Sequence, residues 1–205
     1  MFKKNKNKEN EELTFEQRMT QQRIIRGFSD EDCWELKSWL TTIFPQMILN
    51  LRDMKNSCPE MKFEEFDKLP EDWKQIELNK FKKLQEKQGY EYIEDDIFTK
   101  WYILLTRMSY CLTEANEDKY IHNPYTKEYN SAVWGEDISK IKSIKNFFKK
   151  HSVKTDKGYL LQMNKVDKEL YEKYWEVQDK NEQYKIDMKN EAMDLIKKYF
   201  YNLWD

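Results

Sequence analysis

Ser29–Met54 reads SDEDCWELKSWLTTIFPQMILNLRDM and is the best-specified stretch of the chain. Ser29 is of a type that caps helices, and Asp30, Glu31 and Asp32 set negative charge against the unpaired amides of a first turn. Phe28 and Cys33 are spaced to close a hydrophobic staple. From Cys33 onward, Leu36, Leu40, Ile43, Met47, Leu51 and Met54 recur at steps of three and four, and Trp34, Trp39, Phe44 and Ile48 widen the stripe. The spacing predicts a helix with a broad buried face. Pro45 removes the amide that would bond to Thr41, so a kink is expected there.

Other periodic segments surround this one. Ile97, Trp101, Leu104, Leu105, Met108, Cys111, Leu112 and Ala115 predict a second helix, lying against the first. Val166, Leu170, Tyr174, Val177, Tyr184, Met188, Ala192, Leu195, Tyr199 and Leu203 keep a helical spacing to the end of the sequence. At 1.5 Å per residue that seam is roughly 57 Å long, more than a small bundle needs to cover, and it makes self-association through this helix an expectation. Glu169 with Lys173, Glu176 with Lys180 and Asp194 with Lys198 support it along its outside. Thr14 and Gln17 have capping-box spacing at the start of a helix that ends before Gly27, and Pro70, Glu71 and Asp72 open another that ends at Gly89. Asp137–Lys150 reads as a further helix with Ile138, Ile141 and Phe148 inward. Residues 119–136, with Asn123, Pro124 and Asn130 among Tyr120, Tyr125, Tyr129 and Trp134, lack a helical period and read as a long aromatic loop.

Composition agrees with a helical chain. The 205 residues include 4 Gly and 4 Pro, too few to punctuate the many short strands of a sandwich or barrel or to build phosphate-cradling glycine loops. The mean hydropathy of −1.02 resembles that of disordered chains. The 15% aromatic content and net charge of −2 argue for a folded one, with large rings filling a core where aliphatic residues are scarce. The expected fold is all-α: an irregular bundle of about five to seven helices with a long C-terminal helix, in one domain over 13–205 after a polar tail at 1–12.

Chemistry-bearing patterns are few. Cys33, Cys58 and Cys111 are odd in number and widely spaced, which suits a reducing compartment better than a disulfide framework or a zinc site. His122 and His151 stand far apart with no carboxylate or cysteine at ligand spacing, and no Glu-x-x-His pair or nucleophile motif occurs. No cofactor or metal is expected, and the balance leans away from an enzyme. Neither an apolar leader nor a membrane-length apolar run is present, so no membrane partner is expected. The one marked charge asymmetry is the lysine face around 140–157. Lys142, Lys145, Lys149 and Lys150 are its candidates for phosphate contact, and a solvated helix face is the alternative reading. Trp39 falls off the main stripe, and with Tyr125, Tyr129 and Trp134 it is a candidate anchor for a protein partner.

Arg26-Gly27-Phe28-Ser29-Asp30-Glu31-Asp32-Cys33-Trp34, followed by an apolar helix, and the ending Asn202-Leu203-Trp204-Asp205 together resemble a family of small uncharacterised proteins encoded in bacteriophage genomes. The likeness covers about a third of the chain, chiefly its ends; 56–88 and 119–157 depart from the family's shorter form. It implies a phage origin and expression in the cytoplasm of an infected host, and it supplies no activity. Within the shared opening, Arg26, Asp30 and Asp32 are candidates either for a local ion pair and cap, with Trp34 meeting Trp204, or for partner binding. The expected function is therefore a non-enzymatic phage protein that binds another protein, host or phage, as an inhibitor of a host or anti-phage defence factor. A virion or assembly component, and a nucleic-acid binder using the lysine face, are the alternatives.

Overall fold

The computed structural model describes residues 13–54, 58–59, 61–94, 96–156 and 158–203. The expected tail at 1–12 and the expected meeting of Trp34 with Trp204 lie outside the described residues. Among those residues nine α-helices carry most of the chain: α1 Phe15–Arg26, α2 Asp30–Trp34, α3 Leu36–Met54, α4 Glu64–Asp67, α5 Glu71–Gln88, α6 Ile97–Glu114, α7 Thr126–Trp134, α8 Ile144–His151 and α9 Lys168–Tyr199. The all-α expectation holds. The count exceeds five to seven because α2 and α4 are single-turn pieces of 5 and 4 residues.

Local signals act as read at several points. Thr14 and Gln17 form the capping box of α1, and Gly27 ends it at φ 80°, a left-handed value a β-carbon would strain. Ser29 and Asp32 form a second capping box on α2. The Ser29–Met54 helix is divided at Glu35, the C-cap of α2, while α3 continues through Pro45. Phe28 and Cys33 are both exposed. α9 is continuous through Asn181, with Glu169–Lys173 at 2.6 Å and Glu176–Lys180 at 2.7 Å.

The chain divides into two compact units, Met1–Thr113 with Tyr199–Asp205, and Glu114–Lys198. The core of the first is α6, on which Ile103, Leu104, Leu105, Met108 and Cys111 have no exposed surface. Phe63 stacks on Trp101 at 5.4 Å between centroids, and Tyr199 meets the same indole edge-on at 5.4 Å. The Tyr199 hydroxyl donates to Glu65 at 2.6 Å; burial and that carboxylate both push its pKa well above the ordinary phenol value. Arg107, buried, lies over Trp73 at 4.8 Å and Tyr110 at 5.3 Å. α3 does lie against α6, as expected: Arg52 donates to the Thr106 hydroxyl at 3.1 Å and covers the Tyr102 ring at 4.4 Å.

The second unit corrects two expectations. Residues 119–136 are not one loop, because Thr126–Trp134 forms α7. Asn123 arranges its start, accepting from the Tyr125 amide at 3.0 Å and donating to the Tyr174 carbonyl at 3.0 Å. With nine residues and only Val133 buried, α7 has no stripe long enough to show a period. The expected helix over 137–150 is a 3-10 turn at Ile138–Lys140 followed by α8, which runs on into an antiparallel hairpin, β1 Ser152–Thr155 paired with β2 Gly158–Leu161. Phe148, expected inward, is 48% exposed. Phe147 is the inward ring, meeting Trp134 edge-on at 5.2 Å.

Candidate functional site

The largest departure from expectation lies on α3. Its buried residues are Pro45 and Ile48, while Leu36, Ile43, Met47 and Met54 are 57%, 49%, 50% and 78% exposed. At about 100° per residue, those four side chains fall within about 40° of one line, and Pro45 and Ile48 lie roughly 120–180° away. The stripe expected to be core is therefore an outward seam, and α3 meets α6 with its other side. The cause is visible in the partners. α3 is apolar over more of its circumference than one neighbour covers, and Arg52, on the same side as Pro45 and Ile48, is tied to Thr106 and Tyr102 of α6. That attachment sets the rotation of the helix. Trp39 is half-buried and stacks on Phe44 at 6.0 Å.

The seam carries little charge. Lys37, Arg52 and Asp53 are the charged residues of α3, and Arg52 donates to both oxygens of Asp53, at 2.8 and 3.1 Å. A continuous, uncharged aliphatic strip on a helix of about 28 Å is suited to contact with another apolar surface and to no acid–base or nucleophilic chemistry.

The chain matches no family model, no curated protein and no solved structure. No helix among the described residues is long and apolar enough to cross a membrane.

Arg26, Asp30 and Asp32 are engaged within the chain. Arg26 pairs with Asp30, donates to the Phe28 carbonyl at 3.0 Å and lies over the Phe28 ring at 4.9 Å. Asp32 is held by Arg23, a residue the sequence reading left out of this cluster, with Nη2 at 2.7 Å from Oδ1 and Nε at 3.0 Å from Oδ2. The Arg23 hydrogen bonds, with the Ser29 amide behind them, hold the Asp32 carboxyl well below the usual carboxylate range; Arg26 and Gln22 lower Asp30 in the same direction. These groups lock α1 to α2 and so fix where α3 begins.

In the second unit two of the candidate aromatics are likewise used by the fold. Tyr129 stacks on Tyr174 at 3.9 Å with a 7° interplanar angle, and Trp134 packs edge-on against Phe147 and His151, while Tyr125 stands at the N-cap position of α7 and makes no side-chain cap bond. His151 stands 2.7 Å from Glu136, a pairing across fifteen positions that spacing alone does not disclose. Its hydrogen bond is the main cause of the lowered Glu136 pKa. Lys150 pairs with the same carboxylate at 3.1 Å, whereas Lys142, Lys145 and Lys149 are exposed and make no ion pair among the described residues. Ile144 and Phe148 are exposed on the same helix, at 72% and 48%.

Proposed function

We propose that this chain is a non-enzymatic protein that acts by binding another protein, and that the partner docks on the outward seam of α3. The observation that carries this reading is the exposure of Leu36, Ile43, Met47 and Met54 on one uncharged face. Anchors at positions 36, 43, 47 and 54 follow the spacing by which a helix presents an apolar face to a groove, so the complementary surface is an elongated apolar one with no charge at its centre. The phage-type opening and ending support a partner in the infected cell, a host or anti-phage defence factor that the chain inhibits by occupying such a groove. Self-association through α9, whose Tyr171, Trp175 and Met193 are exposed, is the companion proposal on oligomeric state.

The test is a tagged capture from infected-host lysate with mass spectrometry, followed by reconstitution with the purified partner. The double variant Ile43→Asp, Met47→Asp is expected to fold as the parent does and to bind the partner at least about tenfold more weakly, since each change sets a charge against an apolar anchor site. Unchanged affinity removes α3 from the interface. Recovery of the bait alone counts against the inhibitor reading, and stoichiometric recovery in purified particles supports a virion component instead.

A second reading has its own observation: Lys142, Lys145 and Lys149 are exposed and make no ion pair among the described residues. If they bind nucleic acid, retention on DNA or RNA falls steeply with salt and is lost on reversal of the three charges to Glu. Retention that ignores both overturns it.

A further inference from the structure

Away from the α3 seam, the first unit contains a cavity of about 1050 Å³. Its walls are the C-terminal end of α3, the second half of α5, the connector after Gly89 and the first turns of α6. Five aromatic rings face it, from Phe81, Tyr90, Phe98, Trp101 and Tyr102. Its charged lining is one guanidinium, Arg52, against three carboxylates, Asp53, Glu91 and Asp96.

Arg52 shows how this wall holds a cation. Its guanidinium carbon sits 4.4 Å over the Tyr102 ring, which is itself backed by Phe81 at 4.0 Å, and its donors are taken by both oxygens of Asp53 and by Thr106. An aromatic face beneath and a carboxylate beside is the arrangement that binds a planar guanidinium best. The rest of the wall carries the same residue types, the rings of Tyr90 and Phe98 and the carboxylates of Glu91 and Asp96. Glu91 and Asp96 have no ion-pair partner among the described residues. Asp96 uses one oxygen to accept from the Phe98 amide at 3.2 Å, which fixes its carboxylate at the start of α6 and leaves the second oxygen available. Phe98 is 51% exposed and Tyr90 65% exposed, large rings kept in water at the mouth of an acidic cavity.

We propose that this cavity is a binding site for a guanidinium group, which stacks on the Phe98 and Tyr90 rings and pairs with Glu91 and Asp96. The inference does not rest on the α3 docking face. Its volume admits a whole small molecule, so the guanidinium has two sources, a free organic cation or an arginine side chain of a polypeptide.

The test is a titration of the full chain followed through the ring resonances of Tyr90, Phe98 and Tyr102, with three probes: agmatine, N-acetyl-arginine amide, and the neutral isostere N-acetyl-citrulline amide. Saturable shifts are expected with one or both guanidinium probes and not with citrulline. Tighter binding of agmatine assigns the site to a free cation, and tighter binding of the capped arginine assigns it to a side chain. The double variant Glu91→Gln, Asp96→Asn is expected to weaken binding by about tenfold or more, while Asn at 96 still accepts the Phe98 amide. Phe98→Leu, at an exposed position, is expected to weaken it about threefold to fivefold. The proposal is overturned if neither guanidinium probe shifts the rings, if citrulline binds as well as arginine, or if the carboxylate variant binds as well as the parent.

Discussion

α3 and α6 are nearly equal in length, 19 and 18 residues, and each carries an apolar stripe at helical spacing, yet ten residues of α6 are buried and two of α3. α6 is enclosed by Phe63, Trp73, Phe81, Arg52 and Tyr199, whose rings and guanidinium reach it from several directions. α3 is covered on one side, and the side left open is the more regular of its two apolar faces. A periodic stripe therefore states that a face is suited to burial. What buries it depends on the other elements, and for α3 the cover is absent from the described residues of this chain.

The sharpest way to break the contrast is a pair of truncations. Leu104→Ala in α6, where the side chain has no exposed surface, is expected to cost about 3–4 kcal/mol in denaturant unfolding, through lost burial and the cavity left behind. A loss below about 1 kcal/mol would mean that α6 is not the core of its unit. Next in size is Ile48→Ala on the covered side of α3, expected at about 2–3 kcal/mol. Tyr199→Phe removes one donor from a partly buried carboxylate, Glu65, and is expected to cost about 1–2 kcal/mol, measured the same way.

The α1–α2 corner sharpens the comparison through pH. Asp30 and Asp32 have pKa values lowered in the folded state, so their contribution to stability is complete above the unfolded carboxylate value of about 3.9 and is lost as pH falls through the depressed folded values. Amide exchange of α1 and α2 is expected to accelerate in that acid window before exchange in α6 does, and Asp32→Asn should flatten the response. Simultaneous acceleration in α6 would show that the corner is not a separate local element. The smallest effect is expected on the seam itself: Met47→Ala should change stability by no more than about 0.5 kcal/mol.

Much of this fold is legible in the sequence because its signals are local. The Thr14–Gln17 and Ser29–Asp32 capping boxes each lie within four residues, and the α6 stripe is deep enough to read correctly as core. The rotation of α3 is not legible, since Arg52 ties it to Thr106, 54 positions away in the sequence. α7 escapes notice because one buried residue makes no period, although Gly135 marks its end. The hairpin escapes for a different reason: scarce glycine excludes many strands but not one pair, and Asp156 with Gly158 between two β-branched or aromatic runs is the signal that finds it. In the candidate sites, Arg26 with Asp30 was readable from i,i+4 spacing, whereas Arg23 with Asp32, Tyr129 with Tyr174 and His151 with Glu136 join positions whose separation carries no pattern.

The central claim is that the outward face of α3 is stable in water and serves a partner. Its most direct test sets the double variant Ile43→Asp, Met47→Asp beside the parent, measuring melting temperature and affinity for the captured partner on the same preparations. The account predicts an unchanged melting temperature and affinity reduced at least about tenfold. A variant that unfolds would show that the seam is core after all, and one that binds as tightly as the parent would show that the partner docks elsewhere.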